Sequence, residues 1–260
     1  MSGPALAAVD LLIGIDDTDD ATSPGTGRRC RQLADELAAA GLGRPAGATR
    51  HQLLVDPRIP YTSHNSSACI GWRSAGADPV AVLPEVVGHA GAFLERVCPP
   101  AADPGLAVAI PQRLPGWSAL VDFGLRAKRH VLSIDEATAL ATATGVHLSG
   151  HGGTHGGRIG ALAAVGLHLS GDDGLFLFLP GIRDLEGRLT AEELRRRVPI
   201  DRAFGPGAQE PAPDEVIDLG DWVRPVLLAG EAVLLLDPPT TGADGVRRWR
   251  TAPRAVVKQY

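Results

Sequence analysis

A short apolar run that ends in three closely spaced carboxylates is the feature that most constrains this chain. The run 11–15 predicts a buried strand, and Asp16, Asp17 and Asp19 follow it within four positions. Carboxylates packed this tightly repel one another, and burying them without a partner is costly. Oxygen ligands with a hydroxyl between them suit Mg²⁺ that is shared with phosphates. The alternative is a loop that caps the next helix, which fits one aspartate better than three.

A glycine-rich segment at 150–157 is the second informative feature, because it runs directly into an apolar helix. Its backbone N–H groups can converge on an anion, and the helix N-terminus adds a favourable dipole. The segment lacks the Gly-Lys-Ser/Thr ending of a Walker A motif and differs from the dinucleotide fingerprint. A flexible loop and a metal site on two histidines remain alternatives. The candidate nucleotide-binding residues are Gly152, Gly153, Thr154, His155, Gly156, Gly157 and Arg158.

Together the two segments predict an enzyme that uses ATP and Mg²⁺. One segment offers ligands for the cation, and the other offers donors for phosphate oxygens. Phosphoryl and nucleotidyl transfer need both, because the charge on the polyphosphate must be neutralised while it is positioned. We therefore assign Asp16, Asp17 and Asp19 as catalytic and metal-binding candidates. The hypothesis requires the two segments to meet in space.

Composition limits the class of protein. The net charge of −5 argues against a dedicated nucleic-acid binder, although a local basic face is compatible with it. No apolar run approaches the roughly 20 residues of a membrane span, and the N-terminus lacks a signal-peptide pattern. We therefore expect a cytoplasmic protein with no membrane partner. Cys30, Cys69 and Cys98 form no CxxC pair, so no zinc site is predicted.

The hydrophobic pattern predicts an α+β fold. Strands are predicted at 9–15, 50–56, 68–72 and 105–110, with helices after Gly25 and at 79–97. The strand–helix–strand order in the middle of the chain is typical of a small α+β unit such as a ferredoxin-like layer. Further on, the pattern predicts helices at 117–132, 134–143, 159–165 and 192–197 and a strand at 174–179. Ser133 and Glu136 form a predicted capping box. A Pro- and Gly-rich linker at 205–214 precedes a terminal β-hairpin that is predicted to pair 223–236 with 249–257.

Three segments, in this order, resemble archaeal tRNA-isoleucine agmatidine synthetase. They are Gly14-Ile15-Asp16-Asp17-Thr18-Asp19, Ile59-Pro60-Tyr61 and the helix 159–166, and the resemblance covers residues 9–180. Members of this family use ATP and agmatine to modify the wobble cytidine of an isoleucine tRNA. The resemblance places Asp16, Asp17 and Asp19 at the ATP and Mg²⁺ site and 156–160 at a turn near the nucleotide. It also places Tyr61 in the matching Ile-Pro-Tyr element, and the hypothesis of an ATP-dependent enzyme adds His64 and Asn65, so all three are candidates for contacting the acceptor.

The resemblance also implies a domain organisation. It places a kinase-like nucleotide-binding domain at 1–65 and 115–204, a ferredoxin-like unit at 66–114, and a β-rich C-terminal extension at 205–260. The family's OB-fold and zinc ribbon are not expected here, because no cysteine follows Cys98. The family phosphorylates a threonine early in its first helix, and the matching position here is Cys30. Thr26 is the nearest hydroxyl.

Three functional hypotheses follow from these patterns. The first is an ATP- and Mg²⁺-dependent phosphoryl- or nucleotidyl-transfer enzyme of the agmatidine-synthetase type, acting on a small molecule or an exposed nucleotide. The second is a tRNA cytidine-modifying ligase of reduced architecture, whose partner is tRNA. The third is a non-catalytic nucleotide-binding sensor, motivated by Cys30 in place of threonine. Assembly into a homo-oligomer stays open in all three.

Overall fold

The computed structural model describes residues 9–60, 64–76, 78–242 and 245–260, which fall into two compact units divided between Ser170 and Gly171. The strands of the first unit are β1 (Leu11–Asp16), β2 (Gly43–Gln52), β3 (Ser66–Ser74), β4 (Gly105–Ala109) and β5 (His147–Gly150). They form an antiparallel sheet in the order β5-β4-β1-β3-β2. Its helices are α1 (Thr26–Ala39), α2 (Pro79–Val97), α3 (Ser118–Ala127), α4 (Ile134–Thr144) and α5 (Gly157–Ser170).

The first six elements form a ferredoxin-like arrangement. They follow one another as β1-α1-β2-β3-α2-β4, and the four strands lie in the order β4-β1-β3-β2. This arrangement extends from Leu11 to Ala109, whereas the predicted ferredoxin-like unit covered 66–114. The compact unit itself continues to Ser170, whereas the predicted nucleotide-binding domain continued to 204. The sequence pattern indicated most of these elements but did not reveal which strands share a sheet.

Strand β1 lies at the centre of the first unit and is buried on both faces. Leu11, Leu12, Ile13 and Ile15 are all fully buried, as expected for a strand between two layers of helices. Leu12 packs in one cluster with residues of α5, including Ala161 and Val165. Helix α1 contacts β2 and β3. The end of β1, where the aspartates begin, therefore lies inside the fold.

Glycines allow α5 to approach the sheet closely. A Cβ on Gly14 would lie 2.2 Å from the carbonyl oxygen of Ala161, and one on Gly105 would lie 2.1 Å from the carbonyl of Gly157. A Cβ on Gly160 would lie 1.8 Å from a carboxylate oxygen of Asp16. Any larger residue at these positions must push helix and sheet apart. This seam of glycines brings the N-terminus of α5 against the end of β1.

Most predicted elements are present, and the differences have local causes. Helix α2 has the predicted bounds, and Ser133 and Glu136 form the predicted capping box. Strand β2 begins at Gly43 rather than at residue 50, since a bulge between Pro45 and Gly47 accommodates two residues that disfavour strands. Helix α3 ends at Ala127 rather than at residue 132. The short strand β5 was not predicted.

The second unit contains two small sheets. One has the order β6-β10-β11-β8 and the other the order β12-β13-β9-β7. The predicted terminal hairpin is wrong in part, because 226–235 forms a hairpin by itself while Arg247–Arg250 joins the other sheet beside β9. The strands are β6 (Leu175–Phe178), β7 (Arg188–Thr190), β8 (Arg202–Phe204), β9 (Val216–Asp218), β10 (Val226–Leu228), β11 (Glu231–Leu235), β12 (Thr240–Thr241) and β13 (Arg247–Arg250), with helices α6 (Ala191–Arg197) and α7 (Arg254–Val257).

The core of the second unit surrounds Trp249. This side chain is buried with Leu194, Ile217 and Leu234, and its indole N–H donates to Glu215 at 2.7 Å. The predicted linker at 205–214 contains a short 3-10 turn and an isolated bridge between Gly205 and Gln209. No helix in the described ranges is long and apolar enough to cross a membrane.

Replacing Gly14 by alanine tests the close approach of α5. We expect Gly14→Ala to lower the free energy of unfolding by about 2 kcal/mol or more, because its methyl group would overlap a backbone carbonyl. The matched control is Gly88→Ala in helix α2, where an added Cβ meets nothing within 4 Å. That variant should be up to about 1 kcal/mol more stable than the parent. Urea unfolding of the three proteins measures both effects, and equal stability of Gly14→Ala and the parent would contradict the packing described.

Candidate functional site

The two predicted segments line the same cavity in the first unit, which has a volume of about 220 Å³. Asp16, Asp17 and Asp19 line it from the end of β1. Thr154, Gly156, Gly157 and Gly160 line it from the glycine-rich segment and the first turn of α5. The spatial meeting that the functional hypothesis requires is therefore present.

Asp16 and Asp17 form the acidic part of the cavity. Burial, together with the neighbouring charges of Asp17 and Asp19, raises the pKa of Asp16 to about 8. Burial raises the pKa of Asp17 to about 6, with Asp103 and Asp19 as the repelling charges. Asp17 also has a positive φ of 49°, which is uncommon for a residue other than glycine. At neutral pH this pair holds a proton unless a cation replaces it.

Asp19 has a different role from its two neighbours. One of its carboxylate oxygens accepts a hydrogen bond from the backbone N–H of Thr26 at 3.1 Å and another from the Thr26 hydroxyl at 2.8 Å. Thr26 is the first residue of α1, so Asp19 satisfies a donor at the start of that helix. The capping alternative raised by the sequence therefore holds for Asp19, while its position on the cavity wall keeps it close to the acidic pair.

A fourth carboxylate, Asp103, lies where the sequence predicted a phosphate. Its oxygens accept hydrogen bonds from the backbone N–H groups of Thr154 at 3.1 Å, His155 at 2.6 Å and Gly156 at 2.8 Å, and from the Thr154 hydroxyl. The N–H groups of the glycine-rich segment do converge on an anion, but that anion is a side chain of the same protein. Sequence analysis missed Asp103, which lies two residues before β4 without a motif around it.

The predicted nucleotide-binding residues divide into two groups. Thr154, Gly156 and Gly157 line the cavity. The remaining four are not among its lining residues. Gly153 lies against Asp103, and Gly152 lies against the carbonyl of Ala102. The ring of His155 packs against Gly150, and the Arg158 side chain donates to the carbonyl of His155. The structure therefore brings only the inner part of the segment to the acidic residues.

The predicted acceptor residues are partly on the cavity wall. His64 and Asn65 line it, whereas Tyr61 lies outside the described residues. The Asn65 side chain donates to the carbonyl of Leu54 at 2.6 Å, which holds the end of β2 to the start of β3. Asn65 therefore shapes this wall in addition to lining it.

An apolar wall of the cavity was not predicted. It is formed by side chains from the chain after β2, the end of α3, the loop before α4 and the first turn of α5. Arg58 and His130 also line this part, and Arg58 pairs with Asp56 at 2.8 Å. The cavity thus joins a polar, acidic end to an apolar end, which is the usual composition of a small-molecule site. The apolar residues are Leu53, Ile59, Pro60, Ala127, Val131, Leu132 and Ile159.

The thiol at the family's phosphorylated position does not face the cavity. Cys30 is fully buried on α1, and burial raises its pKa to about 12. A neutral, buried thiol is a packing group rather than a nucleophile. The hydroxyl of Thr26, by contrast, is on the cavity wall, where it bonds Asp19 and lies 3.3 Å from the Thr18 hydroxyl.

Within the described ranges, no group of three or more His, Cys, Asp or Glu side chains is arranged to hold a metal ion. The three aspartates of the motif are therefore not a preformed ligand set. Mg²⁺ is commonly held by one or two carboxylates that are completed by substrate phosphates and water. Asp16 and Asp17 are a partly buried pair with raised pKa values, and they fit that smaller requirement.

Fold and cavity define an α+β protein with a candidate small-molecule site, and three solved structures share its fold. The complex of TiaS with an isoleucine tRNA and ATP matches with a TM-score of 0.51 at 23% identity, covering 61% of this chain and 36% of that one. The complex of TiaS with the same tRNA, AMPCPP and agmatine matches with a TM-score of 0.51 at 21% identity, covering 71% and 43%. A tRNA fluorescent labelling enzyme matches with a TM-score of 0.50 at 24% identity, covering 60% and 35%.

These likenesses confirm the predicted resemblance and fold class at the level of the fold. The chain spans 35 to 43% of the length of the three structures. It matches no protein-family model and no curated protein sequence. Function must therefore be argued from the site itself.

The pH dependence of stability tests the burial of Asp16. Its pKa is about 8 in the folded chain against 3.8 for the free group, so the folded state retains a proton that the unfolded state releases between these values. The parent should lose stability as the pH rises from about 4 to 8, and Asp16→Asn, which cannot ionise, should lose less. Urea unfolding across this range in EDTA measures the difference. The control, Asp122→Asn on the exposed side of α3, should follow the parent. Parallel curves for Asp16→Asn and the parent would contradict the assignment.

Proposed function

We propose that this chain is an ATP- and Mg²⁺-dependent phosphoryl- or nucleotidyl-transfer enzyme. The observation that carries the proposal is the shared cavity. Two carboxyl groups whose ionisation is suppressed line it beside a loop whose N–H groups already bind the Asp103 carboxylate. An acidic pair alone would repel a polyphosphate, and a loop of N–H donors alone would not neutralise its charge. A cation bound at the acidic pair neutralises the polyphosphate, and phosphate oxygens bound at the loop satisfy its N–H donors.

In this proposal, Asp16 and Asp17 hold Mg²⁺, which supplies charge neutralisation on the transferred group. Thr154 and Gly156 position phosphate oxygens through their N–H groups, and the apolar wall around Leu132 covers the nucleoside. Asp19 fixes the start of α1 rather than supplying a third ligand. The acceptor approaches past His64 and Asn65. Its class, a small molecule or an exposed nucleotide, follows the agmatidine-synthetase likeness.

Removing one carboxylate should separate cation binding from nucleotide binding. We expect Asp17→Asn to weaken ATP binding about tenfold or more in the presence of Mg²⁺, because one of the two proposed ligands is lost. In EDTA the variant should bind ATP no more weakly than the parent. Isothermal titration calorimetry with and without Mg²⁺ measures both, with Asp122→Asn as the matched control. If the parent gives no heat with ATP and Mg²⁺, the proposed function fails.

Asp103 offers a second test, because its carboxylate occupies the N–H groups that the phosphates would use. Asp103→Asn keeps an acceptor for the loop and removes the negative charge. We expect this variant to bind ATP about tenfold more tightly in EDTA, since a carboxylate a few ångströms from a phosphate costs on the order of 1 kcal/mol or more. Calorimetry gives the affinities, and a thermal melt verifies that the loop variant is folded. Weaker binding by a folded Asp103→Asn would show that Asp103 supports the nucleotide rather than competing with it.

A nucleotide-binding sensor without catalysis is the second candidate, and the burial of Cys30 favours it. If the family's phosphorylation step is essential, a buried thiol cannot replace it. Clear ATP binding without release of ADP, AMP or phosphate in the presence of candidate amines would select this function. The tRNA-modifying ligase is separated from both by a gel shift with total tRNA. Binding that is strongest at low salt supports it, because phosphate contacts weaken as salt rises.

A further inference from the structure

A chain of polar side chains lies at the edge strand β5, outside the cavity described above. The Ser149 hydroxyl lies 2.9 Å from Nε2 of His151, and Nδ1 of His151 lies 3.0 Å from a carboxylate oxygen of Glu95 on α2. Nε2 of His147 lies 3.0 Å from the same hydroxyl. None of these four residues lines the nucleotide cavity. The proposed function uses none of them.

The hydrogen-bonding capacity of each group fixes the direction of this chain. An ionised Glu95 only accepts, so Nδ1 of neutral His151 carries its proton and Nε2 is left as the acceptor. The Ser149 hydroxyl therefore donates to Nε2 of His151, and its oxygen accepts from Nε2 of His147. Burial lowers the pKa of His147 and so favours the neutral imidazole, whose single proton is then on Nε2, the nitrogen that donates to the hydroxyl. This is the order of groups in an activated serine: nucleophile, base and orienting acid.

The backbone holds this arrangement in place. Ser149 and His147 are two residues apart on β5, so their side chains lie on the same face of the sheet. A Cβ on Gly91 of α2 would lie 2.7 Å from the His151 ring, so only glycine leaves room for this imidazole. Ser149 is half-buried and the His151 side chain is 12% exposed, so both are partly accessible.

The backbone N–H of Gly150, the residue after Ser149, is the candidate oxyanion donor. The N–H of His151 donates to Pro104, towards β4, at 2.8 Å. Because N–H directions alternate along a strand, the N–H of Gly150 points away from β4. In the described part of the chain, β5 is the last strand on this side of the sheet. The N–H of the residue that follows a nucleophile is a common oxyanion donor.

A metal site is the other use for two histidines and a glutamate. Among the described residues, however, no group of three or more His, Cys, Asp or Glu side chains is positioned as metal ligands. The hydroxyl also lies between the two imidazoles, where it bonds both of them. The geometry therefore favours activation of the hydroxyl.

We propose that Ser149, His151 and Glu95 form a second, hydrolytic site that cleaves small carboxylic esters. The Ser149 oxygen bonds to the ester carbonyl carbon, and its proton moves to Nε2 of His151. The bond to the alcohol oxygen breaks, and the alcohol leaves with that proton. Water then attacks the acyl-serine, gives a proton to His151 and releases the carboxylic acid, after which the proton returns to Ser149. Glu95 is a positioning residue.

A fluorophosphonate probe tests the nucleophile directly. It forms a bond from phosphorus to the serine oxygen and releases fluoride, so mass spectrometry of the labelled chain locates the adduct. We expect one adduct per chain, at Ser149, and none with Ser149→Ala or with the denatured parent. We also expect His151→Gln to reduce the labelling rate about a hundredfold, the range in which a general base acts. Absence of an adduct at Ser149, or equal labelling of several serines, overturns the proposal.

The role of Glu95 is tested with a matched pair on the same helix. With 4-nitrophenyl acetate, Glu95→Gln should lower the rate a few-fold and move the midpoint of the pH–rate profile downwards, because the carboxylate stabilises protonated His151. The effect is modest because the Glu95 side chain is 65% exposed. Glu85→Gln, an exposed position ten residues earlier, should change neither quantity. An unmoved midpoint in Glu95→Gln, or Ser149→Ala as active as the parent, contradicts the site. ATP titration involves none of these residues. Absence of ATP binding would therefore overturn the proposed function alone, and absence of serine labelling would overturn the second site alone.

Discussion

The contact between the first turn of α5 and the end of β1 is the constraint on which the candidate site depends. Gly160 has no side chain, and the carboxylate of Asp16 occupies the space that a Cβ would need. The same seam brings Gly157 against the carbonyl of Asp103 and Gly105. One packing arrangement thus buries an acidic group, raises its pKa and brings the glycine-rich loop beside it. Burial of a carboxyl group costs stability, and carboxyl groups with strongly raised pKa values are concentrated at functional sites.

The arrangement of charges around the cavity follows from this contact. Asp16 and Asp17 lie at the end of β1 and Asp103 lies before β4, and their mutual repulsion is relieved in two ways. Asp103 is satisfied by backbone N–H groups, whereas burial and the neighbouring charges raise the pKa of Asp16 to about 8 and that of Asp17 to about 6. In the proposed function, a cation would replace the proton that this pair holds, and the polyphosphate that it carries would compete with Asp103 for the N–H groups of the loop.

The sequence predicted the local features of this site better than its long-range ones. The apolar run before Asp16 and the glycines before α5 each have a short-range signature, and both were found. Asp103 has none, since its partners lie some fifty residues further along the chain. The apolar wall was missed for the same reason: Leu53, Ala127 and Leu132 belong to three separate segments. The resemblance supplied the fold class, but the extent of the ferredoxin-like arrangement depended on strand pairing, which no local pattern encodes.

A crystal structure with a non-hydrolysable ATP analogue and Mg²⁺ would show whether the two segments bind one nucleotide. We expect Asp16 and Asp17 to contact the cation, phosphate oxygens to accept from the N–H groups of Thr154 and Gly156, and the Asp103 carboxylate to have left those N–H groups. A nucleotide bound elsewhere, with Asp103 still on the loop and no cation at Asp16, would contradict this expectation.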